Sequence, residues 1–123
     1  MTEIKFRGKR VDNGGWVEGY YFESFTGIPY IMVLHDHILK MTEYYQVIYA
    51  TIGQYTELKD KNGKEIYEGD VVVYTSENTV QSRVSFESGC FWVTFNSYKY
   101  ELFRYISSGK LEVIGNIHTE VGK

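Results

Sequence analysis

The stretch GQYTELKDKNGKEIYEGDVVVY, residues 53–74, passes from turn-forming residues into the most apolar strand of the chain. Asp60-Lys61-Asn62-Gly63-Lys64 predicts a tight turn. Glu68-Gly69-Asp70 predicts a second, with Gly69 free to take positive φ and the Asp70 carboxylate able to accept backbone N–H bonds. Charged side chains gather here, yet the Gly, Asn and Asp positions are those a chain uses to turn twice and enter a run of Val. The stretch reads as the joint between two halves, with Glu65, Glu68 and Asp70 as an acidic edge that a basic partner could meet.

At 123 residues the chain has room for one hydrophobic core and one domain, in two lobes, residues 1–58 and 59–123. Twelve Tyr, frequent Phe and Val, one Pro and closely spaced Gly favour strands joined by tight turns. The class is mainly β, with at most one or two short helical turns. A formal charge of −3 with interspersed signs gives no positive field toward a phosphate backbone, which disfavours nucleic acid as a partner. The lone Cys90 forms no internal disulfide framework and fits a reducing compartment. With no apolar run of signal-peptide or membrane-span length, the expected location is the cytoplasm, with no membrane partner.

Residues 4–10 alternate, and Asp12-Asn13-Gly14-Gly15 is a turn before a returning strand over 16–23. A two-residue Asn13-Gly14 loop would set Val11 against Trp16, Lys9 against Glu18, Arg7 against Tyr20 and Gly8 against Gly19. Residues 30–34 suit a buried strand, ended by His35-Asp36-His37. Residues 38–52 fit helical spacing in places, but Tyr44-Tyr45-Gln46-Val47-Ile48-Tyr49 favours strand from about Tyr44. Downstream, a Ser88-Gly89 loop puts Phe86 opposite Phe91 and Val84 opposite Val93 on one face, with Arg83, Ser85, Trp92 and Thr94 on the other. Residues 98–107 suit a strand, a helical turn, or both in sequence, and 111–117 a last strand. A Gly-Asp step leading into alternating Val is how many SH3-like small barrels enter their first strand. The expectation is an N-terminal β-meander packed on a C-terminal SH3-like barrel, an analogy of fold that carries no function.

The words GQYT and LKDKNGKEIYEGD, with Ile4-Lys5-Phe6-Arg7-Gly8-Lys9, Gly15-Trp16-Val17, Gly19-Tyr20, Gly89-Cys90-Phe91-Trp92 and Val113-Ile114-Gly115-Asn116-Ile117, resemble the YopX-like family of small phage and prophage proteins in order and spacing over nearly the whole chain. The resemblance implies a phage or prophage origin, expression inside a bacterial host and self-association, and it supplies no catalytic residues. Glu57 stands where the family commonly shows Gly after GQYT, and Ala50-Thr51 replaces a more usual Pro-Glu-Thr. These departures bear on the local turn at Glu57 and on anything that binds there.

Candidate sites are few. His35 and His37 would project from one side of a strand as two metal ligands, and a third ligand is not indicated by the spacing. Asp60-Lys61-Asn62-Gly63-Lys64-Glu65 fails the calcium-loop pattern, because Gly63 is fourth and not sixth. No nucleophile elbow or phosphate loop occurs, and Cys90 lacks a basic neighbour to activate it. The aromatic set Trp16, Tyr20, Trp92 and Tyr44-Tyr45, interleaved with Lys5, Arg7, Lys9, Arg10 and Arg83, could stack a peptide or single-stranded nucleic acid, although such rings more often build cores or subunit interfaces. The expectation is a non-enzymatic binding or self-assembling protein without a cofactor. Nucleic-acid binding through the basic first strand and barrel is the alternative, and a metal-dependent hydrolase using His35, His37 and a carboxylate a weaker one.

Overall fold

Short runs of alternating apolar residues, punctuated by Gly, Asn and Asp, give a mostly β computed structural model that describes residues 4–36 and 41–118. The contacts divide it into two compact units, Met1–Tyr55 and Thr56–Lys123. Among the described residues no helix is long and apolar enough to cross a membrane.

The first unit is an antiparallel meander of β1 (Phe6–Lys9), β2 (Trp16–Glu23), β3 (Pro29–Asp36) and β4 (Met41–Gln46), flanked by the start of β5 (Gly53–Lys59), in the spatial order β4-β3-β2-β1-β5. Strand β2 has the expected limits, but the first hairpin corrects the expected register. Arg7 lies opposite Glu18, Gly8 opposite Val17 and Lys9 opposite Trp16. The cause is the loop, which holds four residues, 11–14, and is closed by the Arg10 N–H on the Gly15 carbonyl at 2.8 Å. Asp12 accepts from the Arg10 guanidinium at 2.7 and 2.9 Å, and the Asn13 carboxamide oxygen takes the Gly15 N–H at 2.8 Å. These side-chain bonds hold the wider loop. A slip of two residues leaves every side chain on its expected face, because strands alternate with period two.

One face of the meander buries Ile31 and Val47. Gly8 and Gly19 let neighbouring segments approach, since a Cβ at Gly8 would lie 2.9 Å from the Val47 Cβ and one at Gly19 only 2.1 Å from the Met32 carbonyl oxygen. The strand expected from Tyr44 through Tyr49 stops at Gln46. Beyond it Val47 forms a single bridge with Arg10, and residues 49–51 make a 3-10 turn pinned by Thr51, whose hydroxyl accepts the Lys9 N–H and donates to the Ile48 carbonyl. Backbone groups of the first strand thus claim this segment before a ladder can continue.

In the second unit β5 gives way to β6 (Glu65–Tyr67), β7 (Asp70–Thr75), β8 (Thr79–Arg83), β9 (Ser85–Glu87), β10 (Cys90–Phe95), β11 (Tyr98–Glu101), the single helical turn α1 (Phe103–Ile106) and β12 (Leu111–Asn116). Residues 98–107 are strand and helical turn in sequence. Two three-stranded antiparallel sheets, β12-β7-β8 and β11-β10-β9, share a core of Ile66, Val72, Val84, Val93, Phe95, Leu102, Leu111 and Val113. Among the described residues no ladder closes these sheets into a ring. The chain passes from one sheet to the other at Val84, whose N–H donates to Asp70 and whose carbonyl accepts from Gly69. The Ser88-Gly89 loop has φ of 52° and 76°, the two positive values that a two-residue hairpin of the favoured type requires, and Phe86 faces Phe91 as expected. Tyr74, Tyr100 and Tyr105 pack against this core around Phe95, with Tyr105 meeting the other three rings edge-on.

The Asp60 turn fastens this unit. One carboxylate oxygen accepts the N–H groups of Asn62 and Lys64 at 2.8 and 2.9 Å, and the other reaches 53 residues along the chain to the Val113 N–H at 2.9 Å. Asp70 is interior and accepts the Tyr67 N–H at 2.8 Å.

Replacing Asp60 with Ala orphans three donors, so Asp60→Ala should lower unfolding free energy by about 3 kcal/mol in denaturant melts. Glu57 has φ of 69°, the left-handed region that Gly adopts without strain, and it is the position where the resemblance led to the expectation of Gly. Glu57→Gly should therefore stabilise by up to about 1 kcal/mol, as relief of strain exceeds the added freedom of the unfolded chain. In the meander, the Tyr21 hydroxyl, which donates to Glu23 at 2.7 Å, is pushed up to about 12 by burial first and by that carboxylate second. The folded state holds this proton more tightly than the unfolded chain does. Its stabilising contribution is full below pH 10 and is lost as pH rises toward 12. Carbon-13 NMR titration should show a tyrosine ionising near pH 12 that disappears in Tyr21→Phe.

Candidate functional site

Antiparallel register places the side chains of directly opposed residues on one face, so Tyr20 with Met32, Phe22 with Tyr30, and Met32 with Tyr44 build one surface of the meander. It is the face away from Ile31. Phe22 stacks on Tyr30 at 5.3 Å and meets Tyr44 edge-on at 5.6 Å. Tyr20, Phe22 and Tyr44 remain 55%, 37% and 59% exposed. At about 150–250 Å² per aromatic side chain, these fractions leave roughly 300 Å² of ring surface in water. The same face carries Arg7 and Glu18. The Arg7 guanidinium sits 5.0 Å from the Trp16 ring centre, so the expected stacking of Arg7 on an aromatic occurs, with Trp16 in place of Tyr20.

The basic residues of the first strand are engaged locally. Lys5 lies over the Tyr55 ring at 5.1 Å, and Arg10 lies over Tyr45 at 4.1 Å while bonding Asp12. That bond holds the Asp12 carboxyl below the usual carboxylate range. The Tyr45 hydroxyl donates to Glu43, which raises its pKa.

The β2–β3 connection adds a residue that the sequence reading passed over. Ser24 closes the loop by donating its N–H to Ile28 and accepting from Gly27 through its carbonyl and from Ile28 through its hydroxyl, with Gly27 at φ 85°. Phe25 stands at the tip, fully exposed. The available signal was an aromatic inside Ser24-Phe25-Thr26-Gly27, a stretch whose other members all favour turns.

The sites expected in the second unit are dispersed. Arg83 is exposed at the end of β8 opposite Val71, whereas Trp92 lies in the other sheet opposite Ser85 and Glu101, so the turn at Val84 separates them. The Trp92 indole N–H donates to the Glu87 carbonyl at 3.0 Å, and Lys99, paired with Glu87, lies 4.9 Å from its ring. Glu65 accepts from the Tyr67 hydroxyl at 3.1 Å, Glu68 is half-buried in its turn, and Asp70 is interior, so the three carboxylates do not share an exposed edge. His35 belongs to β3 and His37 lies outside the described residues. Among the described residues no three His, Cys, Asp or Glu side chains converge as metal ligands.

The second unit also holds a pocket of about 300 Å³, lined by Glu57, Leu58, Cys90, Phe91, Leu102 and Phe103 among others. Its walls are mostly apolar. Glu57, the residue in left-handed conformation, is among the residues that line it.

A search of curated proteins finds no match. Among solved structures, the chain is similar to protein EF1440 from Enterococcus faecalis, with 23% identity, a TM-score of 0.61, and coverage of 96% of this chain and 95% of that one. At that identity the likeness is one of fold. The family described as YopX protein matches residues 5–121, nearly the whole length. By that match the chain belongs to the YopX protein family.

Proposed function

We propose that this protein is a non-enzymatic protein-binding module, and that its contact surface is the aromatic face of the meander. The observation that carries the reading is that Tyr20, Phe22 and Tyr44 lie on one face, Phe22 and Tyr44 in ring contact and Tyr20 opposite Met32, and yet are left in water. Tyr and Phe supply large contact area at low cost in side-chain entropy, and in such surfaces a few rings carry most of the binding energy. The occupant is a protein segment that lays apolar side chains across β2, β3 and β4. Phosphate chains are a poorer fit, because Lys5, Arg7 and Arg10 already rest on Tyr55, Trp16 and Tyr45. The proposal includes that this work is done in the cytoplasm of a bacterial host, a reading supported by the resemblance of the sequence to phage and prophage proteins.

The Tyr20→Ser, Tyr44→Ser double variant should melt like the wild type and lose the proteins that the wild type retains when both are used as bait in lysogenic cells. An unchanged captured set would refute the surface. Titration with single- and double-stranded DNA at low salt should show no binding; binding that weakens steeply with salt would favour a nucleic-acid role instead.

A further inference from the structure

We infer that the protein self-associates head to tail, with Phe25 of one copy seated in the pocket between Leu58, Cys90, Phe91 and Phe103 of another. The ring and the pocket are complementary features of the same chain. Phe25 is fully exposed, so it touches nothing substantial in its own copy and is not in its own pocket. Its loop does not need it either, because Ser24 and Gly27 make the turn. Those bonds hold the tip in one shape, which removes much of the ordering cost that a flexible loop would meet on docking.

The receiving side matches in size and chemistry. An apolar cavity of about 150 Å³ is known to take a benzene ring, so the 300 Å³ here admits a phenyl group together with the approach of its backbone. Leu58, Phe91 and Phe103 supply apolar walls. Charge is compatible as well. Residues 24–28 carry none, so the tip does not repel Glu57, which is among the residues lining the pocket. Beside Phe103 the exposed Arg104 is paired with Glu101 at 3.3 Å, and an uncharged tip leaves that pair in place.

Knob and pocket are different surfaces, so the contact is heterologous: each copy offers one Phe25 and one pocket, and assembly grows into a ring or a chain. One buried aromatic of about 150–250 Å² is well below the roughly 800 Å² per partner of a standard stable interface. The association is therefore weak and rises with concentration, with Phe25 as its anchor. This contact uses a different surface from the meander face, and the Tyr20→Ser, Tyr44→Ser variant should keep it, so the two readings fail separately.

Light scattering across a concentration series tests the contact. The average mass of the wild type should rise with concentration. Phe25→Ser should weaken self-association at least about tenfold. Phe103→Glu, at a side chain already 57% exposed, should do the same from the pocket side, with Phe103→Ala as a milder variant if the first melts early. Mixed in equal amounts, Phe25→Ser and Phe103→Glu should form a dimer and nothing larger, because the mixture holds one intact knob facing one intact pocket. A wild type that stays monomeric at the highest concentration overturns the inference. So does a Phe25→Ser protein that associates as the wild type does, or a mixture in which both variants remain monomeric.

Discussion

The carboxylate of Asp60 is the interaction on which the second unit depends. It lies in a turn, where an Asp normally serves only its own neighbours, yet one of its oxygens reaches the Val113 N–H on the last strand. The β12–β7 ladder shifts register just after Val113, and the Asp60 oxygen supplies a partner at that break. A buried donor without a partner costs about 1–3 kcal/mol, so this single side chain joins the centre of the sequence to its end. The Lys61 N–H, donating to Leu111, closes the same junction through the backbone. Asp70 acts similarly at shorter range, and between them the two residues place β6, β7 and β12 around Val72 and Leu111.

With the core held in this way, the aromatic residues fall into two populations. In the second unit Tyr74, Tyr100 and Tyr105 pack against the core around Phe95, where edge-to-face contacts add to burial. In the meander Phe22 packs laterally on Tyr30 and Tyr44, with Tyr20 beside Met32 on the same face, while Tyr20, Phe22 and Tyr44 face water. Lateral packing holds Phe22 against its neighbours without burying it, the arrangement on which the proposed contact surface rests. The chemistry of the molecule is thus concentrated in rings, an apolar pocket and a hairpin tip.

The strained backbone at Glu57 lies at the pocket. A left-handed non-glycine residue is held only where its surroundings over-determine it. Here β5 runs on toward β6 on one side and the Thr56 hydroxyl donates to Ile66 on the other, so the kink is locked by flanking structure. The strain places Glu57 among the apolar walls of the pocket.

Much of the fold was legible in the sequence because turn chemistry acts over a few residues. Ser88-Gly89 set its own dihedral signs and with them the Phe86–Phe91 pairing, and the limits of β2 followed from alternation between two turn clusters. Family words marked Glu57 as a place where Gly is expected, and the positive φ is the physical reason. The tertiary structure decided the rest. Side chains of Asp12 and Asn13 chose a four-residue loop over a two-residue one, and backbone groups of the first strand ended β4 at Gln46. The separation of Arg83 from Trp92, the pocket beside Glu57 and the bareness of Phe25 were equally beyond the sequence. Each depends on which distant strands arrive at a residue, and alternation of polar and apolar types specifies a face of a strand without specifying what, if anything, will cover it.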